Sequence, residues 1–370
     1  MWIFFACMSN QVSIVATTPT SGTIPLEISL QADGLNKNQS VDVYWDLDGQ
    51  TFTETDLDYT WLASGVHTVQ LTAEYPNGNS SSDSIEVVVQ PEVCPEIEDT
   101  VSDGLLLDAT INEVSGVVES RANPGVLWVH NDSGDTPSLY AINSTGDLLG
   151  TYTLKDGPAG DWEDLAIGIN PATEAHVLYV GDIGDNSTVR DSIRVFLIEE
   201  PQVDANQPHI EEDIDWGAIT LEYPDGPLNA ETLLLDPVTN DLYIVTKDYG
   251  GATGIYRKAS PHQNGQLQTL ELVTSLDFSE SPLSGSATTG GAISPLGNHI
   301  AIRTYTPTGF LWLRDQAMPF SAAFTQAPCV LTLPIDQQGE SIGFAEDGSG
   351  LWTISEGANP PINYTPLSAP

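Results

Sequence analysis

Three stretches, His130-Asn131-Asp132-Ser133-Gly134-Asp135, Asp161-Trp162-Glu163-Asp164 and Asp182-Ile183-Gly184-Asp185-Asn186, place carboxylates and amides at short intervals. Hard oxygen donors of this kind suit calcium, which takes roughly six to eight of them. Asp182, Asp185 and Asn186, in a glycine-containing loop opposite Glu163 and Asp164, form the first expected ligand set, and Asp132 and Asp135 the second. The same residue types also cap turns by accepting backbone N–H bonds, so both readings stand. Lys247 and Arg303 could clamp an anionic or carbonyl oxygen while Glu163 or Glu231 acts as base, with Glu340 and Glu356 completing an acidic, catalysis-capable group. Salt bridging is the competing role for both cations. His130, Trp162, Asp248 and Arg303 are the expected ligand contacts, although a lone His such as His130 is commonly structural. The sequence contains no His-Glu-x-x-His pair and no Gly-x-x-x-x-Gly-Lys loop.

An internal repeat supplies the elements that would bring these residues together. Each copy has an apolar strand, a turn and a second strand. The turns are Ala122-Asn123-Pro124-Gly125, Asn170-Pro171-Ala172-Thr173, Asp236-Pro237-Val238-Thr239-Asn240, Ser294-Pro295-Leu296-Gly297-Asn298 and Glu346-Asp347-Gly348-Ser349-Gly350. Two further strands follow most copies, and four strands per unit is the pattern of a propeller blade. The fifth copy runs out after three strands, while Leu105-Leu106-Leu107-Asp108-Ala109 precedes the first without a blade of its own. An N-terminal strand that completes the last blade closes the ring without an exposed edge. Five blades are expected, with six as the alternative if the connection from Ile198 to Gly217 conceals another. In such a unit the first strand's start and the second strand's end share one mouth. Glu113, Asp161 to Asp164, Glu231, Thr288-Thr289 and Glu340-Ser341 then converge with residues 130–135 and 182–186, Lys247-Asp248, Arg303 and Glu356.

Upstream, residues 11–90 alternate apolar and polar positions, as half-buried strands of a sandwich do. Pro25-Leu26-Glu27-Ile28-Ser29-Leu30, Tyr44-Trp45-Asp46-Leu47-Asp48-Gly49 and Gly65-Val66-His67-Thr68-Val69-Gln70-Leu71-Thr72 resemble a PKD domain. The resemblance implies an extracellular spacer or weak binding module. Leu47-Asp48-Gly49 departs from the family, which has a further Gly before the second Asp. Asp46 and Asp48 are open to either a cation or a turn-capping role. Residues 91–103 read as an acidic, Pro-containing linker, and 104–370 as the propeller. The whole is therefore an all-β chain: an Ig-like (PKD) β-sandwich followed by a β-propeller.

Within the C-terminal part, Glu113-Val114-Ser115-Gly116, His130 to Asp135, Asp161 to Ala166, Gly181 to Asn186 and Ala230-Glu231-Thr232-Leu233 resemble a bacterial family of secreted or lipid-anchored β-propellers. That family is similar at a distance to phytase-like and gluconolactonase-like propellers, whose channel-mouth carboxylates bind calcium. The resemblance implies no settled activity, and Thr289-Gly290-Gly291-Ala292-Ile293 lacks the acidic residue the family tends to place there.

The 370 residues contain 52 Asp and Glu against 10 Lys and Arg, a formal charge of -42, which excludes nucleic acid and anionic membrane surfaces as partners. With 17% charged and 40% hydrophobic residues the chain is still globular in composition. Residues 1–10 read as the remnant of a signal or lipoprotein segment, with Phe4-Phe5-Ala6-Cys7 resembling a loose lipobox and Cys7 as the lipidation site. If Cys7 is lipidated, Cys94 and Cys329 remain, and in an exported protein such a pair is expected to be bridged. These features point to an extracellular, cell-surface or outer-membrane lipoprotein, with the periplasm as alternative. The expected function is calcium and ligand binding at the acidic mouth, the ligand being a small molecule, a glycan or a cell-surface group. A calcium-dependent hydrolase of phosphoesters, lactones or glycans at the same mouth is the first alternative, and a structural or adhesive role the second.

Overall fold

The computed structural model describes residues 11–35, 40–250, 252–278 and 287–368. Cys7 and the lipobox expectation lie outside them. The chain is all-β and divides into two compact units, Met1–Val93 with Asp315–Pro319, and Cys94–Arg314 with Phe320–Pro370. No helix among the described residues is long and apolar enough to cross a membrane.

In the first unit Ser13–Ala16, Leu26–Asp33 and Asp56–Trp61 form a three-stranded antiparallel sheet. The five-stranded sheet runs in the order Ser21–Thr23, Ser80–Gln90, Gly65–Glu74, Asp42–Leu47 and Gln50–Phe52. Buried and exposed positions alternate along Asp42–Leu47 and the second half of Gly65–Glu74. Their inward residues, Trp45, Leu47, Val69 and Leu71, share one core with Ile28 and Leu30 of the smaller sheet. Asp46 Oδ1 accepts the Gly49 N–H at 2.8 Å, and Asp48 Oδ2 meets His67 Nδ1 at 2.6 Å and Trp61 Nε1 at 3.2 Å. Both carboxylates thus have protein partners.

The second unit contains five sheets. Val114–Glu119, Val126–Asn131, Ser138–Asn143 and Leu148–Leu154 make the first; Trp162–Ile169, His176–Asp182, Ile193–Glu199 and Gly217–Glu222 the second. Ala230–Leu235, Leu242–Thr246, Ala252–Lys258 and Glu271–Asp277 make the third, and Thr288–Ile293, His299–Thr304, Thr308–Leu313 and Cys329–Thr332 the fourth. The fifth runs Gly343–Phe344, Gly350–Ile354, Pro361–Ser368 and then Val101–Leu105 from the N-terminal side. The innermost strands of successive sheets pack side by side, and Val114–Glu119 also packs on Gly343–Phe344, so the circuit of contacts closes. Each neighbouring pair encloses its own core. Trp128 and Tyr152 meet Leu178 and Phe196 between the first and second sheets, and Val117 and Leu127 meet Ile354 and Ile362 between the first and fifth.

Three expectations change. The segment 91–103, read as a linker, supplies Glu96–Ile97 and most of Val101–Leu105, both paired with Pro361–Ser368. The strand expected at Leu105 to Ala109 is therefore displaced: Leu106 is instead a core residue and Leu107 is exposed. The connection from Ile198 to Gly217 conceals no further sheet among the described residues, because Ile210–Ile214 pairs in parallel with Leu148–Leu154 as an outer fifth strand. Cys94 and Cys329 form a disulfide across 235 residues of sequence, with Cys329 on the outermost strand of the fourth sheet.

Candidate functional site

One irregularity recurs at the same end of all five inner hairpins. Val114 opposes Asn131 but Gly116 opposes His130; Trp162 opposes Asp182 but Asp164 opposes Gly181. Likewise Ala230 opposes Thr246 but Thr232 opposes Val245, and Thr288 opposes Thr304 but Gly290 opposes Arg303. In the fifth hairpin Gly339 bridges Ser355 whereas Gly343 opposes Trp352, the same slip of register. A bulge inserts an extra residue, bends the strand and re-aims a side chain. The inserted positions are Ser115, Glu163, Glu231, Thr289 and Glu340. The residues just beyond the opposing strand partners are Asp132, Ile183, Lys247, Tyr305 and Glu356.

These positions assemble an acidic group. Asp132, Asp161 and Glu163 can each bring a carboxylate oxygen within 4.8 Å of the others, and so can Asp132, Glu340 and Glu356, so Asp132 belongs to both sets. Burial raises Asp132 to about 6, with Glu340, Asp161 and Glu113 adding to the effect. Burial also raises Glu163 well above the ordinary carboxylate range, helped by Glu231, Asp132, Asp161 and Glu340. Glu231 rises to about 8 through burial, against the pull of Lys247, and Glu356 to about 9 through burial and its hydrogen bond with Glu340. Crowded carboxylates in a poorly hydrated site favour protons or a cation.

Lys247 forms a buried ion pair with Glu231, donates to the Tyr305 hydroxyl at 2.6 Å, and lies 4.6 Å from the centroid of the Tyr305 ring. Burial alone would lower its pKa, but Glu231 raises it. One lysine does not balance the group, and Glu231 Oε2 and Glu340 Oε2 are buried without a hydrogen-bond partner. Hydroxyls fasten the rim: Ser115 donates to the Glu163 carbonyl at 2.5 Å, Thr289 to the Gly339 carbonyl at 2.8 Å, and Thr288 to the Thr246 carbonyl at 3.1 Å. Each bond joins neighbouring sheets.

The expected residues divide into those that meet here and those that do not. Glu163, Glu231, Lys247, Glu340, Glu356 and Asp132 converge as the repeat predicts. Asp182, the leading ligand candidate, pairs instead with Arg190 at 2.8 Å and Arg194 at 3.3 Å and accepts the Asp161 N–H at 3.0 Å. Asp185 accepts the backbone N–H groups of Val189 and Arg190, its own N–H donates to Asn229 Oδ1 at 2.6 Å, and Asn186 Oδ1 takes Asn229 Nδ2 at 3.2 Å. This loop is held by its own bonds, and its Gly184 lies against Glu163 and Asp161, where a side chain would overlap both carboxylates. Asp135 is occupied by Asn131 Nδ2 and the Tyr140 hydroxyl, each at 2.7 Å.

Asp164 is fully buried and accepts N–H bonds from Leu165 at 2.8 Å, Leu233 at 2.9 Å and Gly291 at 3.2 Å, tying three inner strands together. Arg303 is equally buried, donating to the Ser341 carbonyl at 2.8 Å and to Asp336 at 2.9 Å, so it braces the fourth sheet against the fifth-sheet segment. His130 lies under the rim, its Nδ1 bonded to the Asn131 carbonyl at 2.8 Å, with burial lowering it to about 4. Trp162 is buried edge-on to His130, and Asp248 is an exposed loop residue whose Oδ1 accepts the Gly250 N–H. The sequence reading did not select Tyr305 or the Gln338 amide that donates to Glu340 at 2.9 Å. Tyr305 follows Thr304 as Lys247 follows Thr246, so aligning the hairpin ends would have found it.

No family model and no curated protein matches this chain. Among solved structures, it is similar to an auxiliary nutrient binding protein from Bacteroides thetaiotaomicron, at 10% identity and TM-score 0.38, covering 97% of this chain and 98% of that one. It is also similar to a provisionally assigned phosphatase of the same organism, at 8% identity and TM-score 0.42, covering 97% and 98%. Chaetomium thermophilum Raptor is similar at 12% identity and TM-score 0.34, over 71% of this chain and 20% of that one. Likenesses of this strength say nothing about the site.

Proposed function

We propose that the five sheets are the blades of a five-bladed β-propeller, that residues 11–90 form a PKD-like spacer, and that the acidic mouth binds calcium and, through it, a polar ligand. The closed circuit of inner strands and the separate core between each pair of sheets support the propeller reading. The Cys94–Cys329 disulfide fits an oxidising compartment and hence an exported protein. The ligand is a small molecule, a glycan or a surface group rich in oxygen.

The observation that carries the calcium reading is Asp132 shared between two sets of carboxylates while Glu231 and Glu340 each keep a buried oxygen without a partner. Carboxylates alone are hard donors, which fits calcium. Asp132, Asp161, Glu163, Glu340 and Glu356 would hold the ion, which supplies positive charge to an oxygen-bearing ligand. Lys247, fixed by Glu231 and Tyr305, provides a second positive contact at the rim. Calorimetric titration of chelator-stripped protein with calcium tests the reading. Saturable uptake that Asp132→Asn removes is expected; no uptake, or uptake unchanged in that variant, overturns it.

Glu340 and Glu356, whose carboxylate oxygens come within 4.8 Å of each other, favour a second reading, in which one carboxyl carries a proton beside an ionised neighbour and the pair serves acid–base hydrolysis. Turnover of phosphoester, lactone or glycan substrates that is lost in Glu356→Gln, with the fold intact by circular dichroism, would establish it.

A further inference from the structure

The opposite ends of the inner strands enclose a cavity of about 580 Å³, a volume ordinary for small-molecule sites. Six residues of strand separate Glu163 from Ile169, so the two ends of the axis lie roughly 20 Å apart. Between them the axis holds a void of about 30 Å³, room for about one water molecule, lined among others by Leu165, Leu233 and Phe344. A ligand therefore cannot pass from the acidic mouth to this cavity.

The cavity accounts for repeat residues that the acidic mouth does not use. Pro171, Pro237 and Pro295, from the turns of three hairpins, line it together with Ile169, Leu235 and Val238. Ile169 and Val238 are each 52% exposed, large apolar side chains left facing solvent. Turn prolines fix the backbone and add apolar surface without a backbone donor.

Thr239, Asn240, Ser260, Ser294 and Glu346 also line it, and one cation enters the lining. Arg121 lines both the cavity and the void beneath it, and burial lowers its pKa. Its Nη1 is buried without any hydrogen-bond acceptor, and so is Nδ1 of His176, another lining residue. Glu346, Glu119, Glu200 and Asp347 all act on the guanidinium through space. Four carboxylates around one guanidinium leave no positive balance to attract an anion, whereas the open donor still lacks an acceptor.

We propose that this cavity binds a neutral, mainly apolar small molecule carrying one hydrogen-bond-accepting oxygen, a ketone or ester carbonyl, which draws the Arg121 guanidinium round to donate to it. The site is separate from the acidic mouth and does not depend on calcium.

The test is calorimetric or saturation-transfer NMR titration of the full chain with 2-heptanone, heptanoate and heptylammonium. Saturable binding of the ketone is expected, with heptanoate and heptylammonium weaker by about tenfold or more. Arg121→Met should weaken the ketone by about tenfold, and Val238→Trp, which fills the rim from an exposed position, should abolish it. Calcium uptake is measured in both variants, and its retention shows that the fold and the other mouth are intact. Heptanoate or heptylammonium binding as tightly as the ketone, or ketone binding unchanged in Val238→Trp, would overturn the proposal. Absence of ketone binding to the parent protein would do so as well.

Discussion

Gly184 packs against the Glu163 carboxylate so closely that no Cβ fits between them, and the same Cβ would overlap Asp161. Gly184→Ala should therefore push aside the flexible ends of two proposed calcium ligands. The expected result is calcium affinity reduced by roughly tenfold or more, with a stability loss of about 1–2 kcal/mol from overpacking. Calorimetry and denaturant melts on the same preparation separate the two effects. Unchanged affinity would remove Glu163 and Asp161 from the ligand set.

The mouth carboxyls outside the lysine pair hold protons more tightly in the folded chain than in the unfolded one, because burial raises Asp132 to about 6 and Glu356 to about 9. Their favourable contribution is complete below the ordinary carboxyl range near about 4 and is lost as pH rises through the folded values. Chelated protein should melt at falling temperature from about pH 5 to about pH 9. Calcium should restore most stability at the upper end, where protons no longer compete. Scanning calorimetry with and without chelator reads both trends; a flat chelated profile would mean the carboxyls are well hydrated.

Removing one member of a buried ion pair leaves the other without compensation. Lys247→Met should cost about 3 kcal/mol or more, and Lys247→Met with Glu231→Leu should recover most of that loss. Urea melts of the single and double variants decide the matter. Equal losses in both would show that Tyr305, not Glu231, is the partner that matters to Lys247.

Asp164 serves three strands at once, so Asp164→Asn sets an amide among backbone donors. A loss of about 3 kcal/mol is expected, with calcium affinity unchanged in the fraction that remains folded. A large fall in affinity without loss of stability would return Asp164 to the metal site.

The repeat was legible in the sequence because its Asx-Pro and Gly-containing turns and its apolar strands recur in register. Outer strands such as Ile210–Ile214 were not, since an edge strand exposed at four of its five positions carries no alternation to read. The closing strand was placed too far along because Leu105-Leu106-Leu107 looks like a strand, whereas pairing with Pro361–Ser368 selects the polar residues before it. At the site, residue types were legible and partners were not. Asp182 and Glu163 are both acidic residues beside the mouth, and only the reach of Arg190 and Arg194 removes Asp182 from contention. Arg303 was misassigned for the same reason, as Asp336 lies 33 residues away in sequence.

The repeated slip of register makes ten positions behave as sockets. Five lie within the bulges, Ser115, Glu163, Glu231, Thr289 and Glu340, and five just beyond the opposing strands, Asp132, Ile183, Lys247, Tyr305 and Glu356. Each socket can receive a different side chain while the ladder that carries it keeps its pairing. A lineage of such chains could exchange the chemistry of the rim by rewriting those ten letters, with the surrounding framework left unaltered.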